Sequence, residues 1–185
     1  MHIAFISYEY PPDTAAGGIA TYVKQAVSML ASRGHDVEVF TAGRGRGGTE
    51  REDGVLDFAA RIAPVFAARH AEAAFDVLEG PEYRAEARNA VRLVPDIALV
   101  PGPADAVGGK VLLRRERPFY DYRPAQDPER AHCLDADEIA APSRAIGEKV
   151  RQVWGLDPEK LAYYPLAYVP DEALLRVPLG TETTA

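Results

Sequence analysis

One cysteine, Cys133, stands in 185 residues, so the chain builds no internal disulfide and no thiolate cluster for zinc. Its plain role is that of a small buried side chain. No apolar run approaches the roughly 20 residues needed to cross a bilayer. The N-terminus also lacks a basic leader followed by an apolar stretch and a small-residue cleavage site, so a cytoplasmic location is expected. Positive charge is in deficit: a net charge of −7 argues against nucleic acid as a partner. Histidines, carboxylates and the cysteine never fall at ligand spacing, so no metal is expected. No Gly-x-Gly-x-x-Gly follows the first apolar run, which removes the usual nicotinamide or flavin fingerprint.

What is present is 47% hydrophobic composition, enough for one sizeable core and hence one domain. The first forty residues organise it. Ile3 to Ile6 form a short apolar run suited to a strand covered on both faces. Pro11 and Pro12 end it, and Gly17-Gly18 lets the backbone turn and approach a ligand closely. Ile19, Tyr22, Val23, Ala26, Val27 and Leu30 then fall at helical spacing, Gly34 caps that helix, and Val37 to Phe40 begin a second strand. A strand, a helix and a strand in this order predict a parallel unit, with ligands beyond the carboxyl ends of the strands where Gly17 and Gly18 sit.

Further along, Ala42 to Thr49 is glycine-rich with Arg44 and Arg46, a loop that meets a phosphate or is simply solvated surface. Val55 to Ile62 predicts a short strand, and Ala63 to Ala74 a helix begun near Pro64. Phe75 to Glu79 predicts a core strand, broken by Gly80-Pro81, and Glu82 to Leu93 a helix. Glu79 is either an acceptor of sugar hydroxyls or a strand-end carboxylate, and Tyr83 either stacks on a sugar face or packs. Asp96 to Val100 predicts a strand ended by Pro101-Gly102-Pro103. The basic run Lys110 to Arg117 either steers an anionic acceptor or membrane surface or is a solvated face, so membrane contact stays open. Pro118 to Pro124 suggests an ordered cover or acceptor wall, Pro128 to Asp137 a helix, and Leu161 to Pro165 a last strand. Ser143 suits the N-cap of a helix from Arg144 to Trp154 closed by Gly155, and no nucleophile elbow surrounds it.

Three passages together resemble the start of family-four glycosyltransferases. They are Tyr10-Pro11-Pro12 with Gly17-Gly18-Ile19, Tyr22-Val23, Leu30 and Arg33-Gly34-His35-Asp36-Val37; Asp76 to Tyr83; and Asp135 to Ser143. The resemblance implies an α/β fold: a Rossmann-like parallel sheet flanked by helices on both faces, the single N-terminal domain of a GT-B enzyme. Residues 1–168 form that domain and 169–185 a partly disordered linker or tail. It further implies retaining, sugar-nucleotide-dependent transfer to a glycan or small-molecule acceptor, without a separate cofactor. Gly17 and Gly18 would line the cleft beside the donor phosphates, and Glu79, Glu82 and Tyr83 would face the acceptor.

Such enzymes commonly carry a histidine at the end of the strand Asp96 to Val100; aligned on Pro103, that position here is Pro101. Proline offers no side-chain donor, acceptor or titratable group, so the catalytic residue stays unknown. The family's second domain, with paired glutamates holding the sugar nucleotide, has no counterpart in these 185 residues. The chain alone is therefore expected to be inactive, its donor delivered by a separate domain. The other expectation is a non-catalytic glycan- or protein-binding module derived from the same fold.

Overall fold

The computed structural model describes residues 1–12, 17–42, 52–102 and 123–165, with the side chains of 52–57 set aside. The arginine-bearing glycine loop, the basic run Lys110 to Arg117, most of Pro118 to Pro124 and the tail from Leu166 lie outside the described residues.

Strand β1 (His2–Ile6) is the centre of the molecule. Ile3, Ala4, Phe5 and Ile6 are all buried, as a strand covered on both faces requires. Side chains alternate between faces along a strand, and here the alternation splits the core in two. Ile3 and Phe5 pack with Val23 and Ala26 of helix α1 (Gly18–Ser32). Ala4 and Ile6 join the larger cluster, which includes Phe58, Phe66, Leu78, Leu99, Val150 and Trp154. Helices thus cover both faces, as the fold class requires.

β1 pairs in parallel with β2 (Asp36–Phe40) on one side and β3 (Val77–Pro81) on the other, and β4 (Ala98–Gly102) follows β3. The order is β2-β1-β3-β4. β5 (Ile139–Ala141) and β6 (Leu161–Tyr163) form a second parallel pair. Asp137 stitches the two ladders together: its carboxylate accepts the Leu99 amide at 2.9 Å, and its own amide donates to the Leu99 carbonyl at 3.1 Å.

The expected strand Val55 to Ile62 is absent. One helix, α2 (Glu52–Glu72), runs through it with Pro64 inside. Phe58, Ile62 and Phe66 recur every four residues on the buried side of α2, and burying both phenylalanines keeps the helix going across the proline. Near its carboxyl end Arg69 reaches β2, where Nε donates to Glu38 at 3.0 Å. The expected helix Glu82 to Leu93 is also interrupted: a 3₁₀ turn at Tyr83–Ala85 precedes the short α3 (Arg88–Leu93). Arg84 and Ala85 there hold positive φ values of 60° and 52°.

Among the described residues the remaining α-helices are α4 (Pro128–Asp135) and α5 (Arg144–Trp154). α5 has the boundaries expected of it. The Ser143 hydroxyl accepts the Ile146 amide at 3.3 Å, and Gly155 closes the helix in the left-handed region at φ 67°. Among the described residues no helix is long and apolar enough to cross a membrane.

Gly147 allows α5 to sit against β5 and β6. A β-carbon there would stand 2.7 Å from the Tyr163 ring and 3.0 Å from the Ala141 methyl. Gly147→Ala should therefore destabilise the fold by about 1–3 kcal/mol despite alanine's better helix propensity. Urea unfolding checks this; a stabilised variant would contradict the close packing.

His132 on α4 is buried, and among the described residues neither ring nitrogen has a hydrogen-bond partner. Burial, with the nearby Arg88 charge, lowers its pKa to about 4. A base lowered on folding contributes stability that is full above its unfolded value near 6.5 and is lost as pH falls through 4. His132→Leu should lose less stability than the native chain between pH 6.5 and 4, by on the order of 2 kcal/mol. Parallel stability curves for the two proteins would refute that assignment.

Candidate functional site

All four strands of the main sheet point their carboxyl ends at one edge, and the site is assembled there. After β1 the chain turns through Ser7, Tyr8 and Glu9. The Ser7 hydroxyl donates to the Glu9 carbonyl at 2.9 Å, and the Ser7 amide donates to the Phe40 carbonyl at 3.0 Å. Tyr8 packs edge-on against Phe58 of α2. The chain then reaches Gly17, which stands just before α1.

Gly17 is extended (φ −132°, ψ −174°), a conformation open to any residue, so its backbone does not require glycine. A β-carbon there would meet only the Glu9 carboxylate, the far end of a flexible side chain that can turn aside. Gly18, the first helical residue, is exposed, and a β-carbon on it would meet nothing within 4 Å. Among the described residues no side chain caps α1, and its first turn holds no acidic residue. Backbone N–H groups in such a first turn suit an anionic ligand.

Glu79 lies on β3 beside this turn. The Tyr22 hydroxyl, on the first turns of α1, donates to its Oε1 at 2.5 Å. Gly102 at the end of β4 completes the wall: a β-carbon there would lie 3.0 Å from Glu79 Oε1 and 3.3 Å from the Tyr22 hydroxyl. Burial raises the Glu79 carboxyl to about 7, although the Tyr22 hydrogen bond favours the ionised form. The same carboxylate and the same burial push the Tyr22 phenol up, so it stays a donor.

The β3–α3 turn brings three more groups. Glu82 is buried, and its amide donates to the Gly102 carbonyl at 3.0 Å, tying the turn to β4. Tyr83 is 39% exposed, with the Arg84 guanidinium 5.0 Å from its ring centroid. Glu86 is buried, and its Oε2 accepts the Tyr8 amide at 2.8 Å. Burial raises its carboxyl to about 7; the Tyr8 amide works against this rise and the Glu9 charge adds to it. Pro101 is buried in β4 in register with Gly80, so this position at the strand end presents no polar side chain.

Gly17, Gly18 and Glu79 therefore meet at one edge, Tyr83 stands exposed on the neighbouring turn, and the Glu82 side chain is buried within that turn. Sequence inspection missed Tyr22, Glu9 and Glu86. Tyr22 counted only as one step of the apolar stripe of α1; its signal was a phenol on that stripe one turn past the glycines. For Glu86 the signal was a carboxylate set four residues after Glu82 between alanines that pack inward. Among the described residues no group of three histidines, cysteines or carboxylates could hold a metal ion.

The poised Glu79 carboxyl has a measurable consequence. Its folded value of about 7 lies above the ordinary carboxylate value, so its contribution to stability is full below the unfolded value and lost as pH rises through 7. The native chain should gain stability over Glu79→Gln by on the order of 1–3 kcal/mol from pH 8 to pH 4.5. Thermal or urea melts across that range provide the check, and a pH-independent difference would rule out the raised value.

No curated protein sequence matches the chain significantly. A family profile does: residues 17–167 match the Glycosyl transferase 4-like domain. That span runs from the glycine turn to just beyond the last strand, and it includes Tyr22, Glu79 and Glu86 together with every strand of the fold after β1. With a parallel α/β sheet and a glycine turn at its carboxyl edge, the chain belongs to the Glycosyl transferase 4-like domain family.

Proposed function

We propose that the chain is the acceptor-side domain of a retaining, sugar-nucleotide-dependent glycosyltransferase of the GT-B type, working with a second domain that holds the donor. Family membership supports transfer of a sugar, and the Tyr22–Glu79 hydrogen bond, which ties Glu79 to the helix that begins at Gly18, supports the assignment of sides. The first turn of α1 suits the charge that develops on a leaving diphosphate. Glu79, held by Tyr22, offers a carboxyl to an acceptor hydroxyl, and Tyr83 offers a ring face to a sugar. Glu82 supports the same turn from inside. The partners are thus a sugar nucleotide and a glycan or small-molecule acceptor, with no cofactor beyond the co-substrate.

In this arrangement the domain contributes position. Holding an acceptor hydroxyl against the anomeric carbon of a donor supplies a large part of the acceleration in group transfer. It does so only when the donor-bearing domain closes over the same edge.

Pro101 favours a second reading, a non-catalytic glycan- or protein-binding module, because the position that carries an imidazole in related enzymes holds a buried ring without polar atoms. One experiment separates the two. Sugar-nucleotide turnover and saccharide binding are measured for the chain alone and after addition of a donor-binding domain of the same family. The transferase reading expects transfer only after complementation, with Glu79→Ala raising the acceptor KM by roughly tenfold or more. Saccharide binding without transfer after complementation would favour the module, and absence of both would dismiss each reading.

A further inference from the structure

The β3–α3 turn is strained. Arg84 and Ala85, neither of them glycine, both sit in the left-handed region, where each costs about 1–3 kcal/mol. The turn is held both from outside and from within. The Arg84 amide donates to Oε1 of the buried Glu129 on α4 at 2.8 Å, and the Ala85 amide donates to the Glu82 carbonyl at 3.0 Å. Immediately after it, Ala87 packs so closely on Gly80 that a β-carbon on the glycine would stand 2.8 Å from the alanine methyl. Between these anchors the chain delivers one side chain toward the candidate site, that of Glu86.

We propose that Glu86 is the positioning residue of the glycine turn: by accepting the Tyr8 amide it fixes the backbone from which Glu9 reaches Gly17. The proposal rests on the acceptor-side reading for its functional meaning, though not for its geometry. Tyr8 and Glu86 are 78 residues apart and meet at 2.8 Å. Tyr8 has two further restraints, its ring on Phe58 and its carbonyl, which accepts the Thr41 hydroxyl at 3.3 Å. Ser7 holds the next carbonyl, that of Glu9, whose carboxylate occupies the space a Gly17 side chain would need. The Tyr8 backbone thus sets where the Glu9 side chain starts, and its carboxylate ends beside Gly17 at the start of α1. Glu86 touches neither donor nor acceptor in this scheme; it acts through Tyr8.

The charges that face Glu86 come from several elements. Glu9 in the β1–α1 turn opposes its ionisation, and Arg84 in its own turn favours it. From α4 Glu129 is engaged with the Arg84 amide, and from α2 the group against Tyr8 is the apolar ring of Phe58. An ionised carboxylate is the stronger acceptor for an amide, so the hold on Tyr8 is tighter above neutral pH and looser below it.

The test reads the Tyr8 amide in the full 185-residue chain by NMR, without donor or acceptor. In the native protein its shift should titrate with a midpoint near pH 7, following the Glu86 carboxyl. Glu86→Gln retains an acceptor oxygen, so it should keep Tyr8 protected from exchange while abolishing the titration. Glu86→Ala should cut Tyr8 protection roughly ten- to hundredfold, with the amides of Ile3 to Phe5 unchanged as evidence of an intact sheet. Native protection of Tyr8 in Glu86→Ala, or a titration that persists in Glu86→Gln, would overturn the proposal. A second arm titrates the saccharides used above into native and Glu86→Gln chains at pH 6 and 8, where the titration of Glu79 is common to both and the native chain should show the larger change with pH. If no saccharide binds the native chain, the acceptor reading fails while the Tyr8 result still decides the role of Glu86.

Discussion

Every strand of the main sheet runs the same way, and the rest of the structure depends on that constraint. Parallel strands cannot leave a face to water, so both sides of β1 must be covered, and the alternation Ile3, Phe5 against Ala4, Ile6 provides two apolar surfaces at once. α1 takes one surface, while α2 and its neighbours take the other. A shared direction also sends all carboxyl ends to a single edge. Residues as distant as Glu9, Glu79 and Glu86 are therefore brought together by topology before any side chain chooses a partner.

That convergence has an energetic cost that the fold absorbs elsewhere. Two carboxyls near 7 at neutral pH mean that the folded state disfavours their charge, against the direction of ordinary surface glutamates. Two left-handed residues in succession add backbone strain in the same turn. The compensation lies outside the edge: Glu129 on α4 holds the strained turn, Asp137 binds the Leu99 amide, and Phe58, Phe66 and Trp154 fill the larger core. A rigid body supporting a costly edge is the arrangement expected where local consistency has yielded to a ligand site.

Which parts could be read from the sequence follows from the range of the forces involved. α5 was legible to the residue because its boundaries are set locally, by the Ser143 hydroxyl at one end and the positive φ of Gly155 at the other. α1 and its glycine cap at Gly34 were legible for the same reason. Val55 to Ile62 was not. Its side chains suit a strand, Pro64 suits a helix start, and only the four-residue recurrence of Phe58, Ile62 and Phe66 betrays a continuous helix whose packing overrides both. The break at Arg84-Ala85 left no trace either, since neither residue favours the left-handed region and the restraint comes from Glu129, 45 residues away. Likewise, Gly17 was foreseen at the cleft for its backbone freedom, whereas its backbone is extended and open to any residue, with the movable Glu9 carboxylate beside it.

Pro101 sharpens what this edge can still do. With a proline at that position, the described polar groups at this edge are backbone amides, carboxyls, the tyrosine hydroxyls and the Arg84 guanidinium, and what the carboxyls can do depends on protonation. A carboxyl near 7 is an acceptor in one form and a donor in the other, so Glu79 can meet a hydroxyl in either sense while Tyr22 keeps donating to it. Such a group suits recognition of sugar hydroxyls, which are themselves both donors and acceptors. It is poorly suited to permanent charge stabilisation, to which the first turn of α1, with no cap among the described residues, is suited without titrating. On the proposed reading, proton-sensitive recognition on β3 and the positive end of α1 divide the work of the edge, with the Glu86–Tyr8 contact holding the turn that joins them.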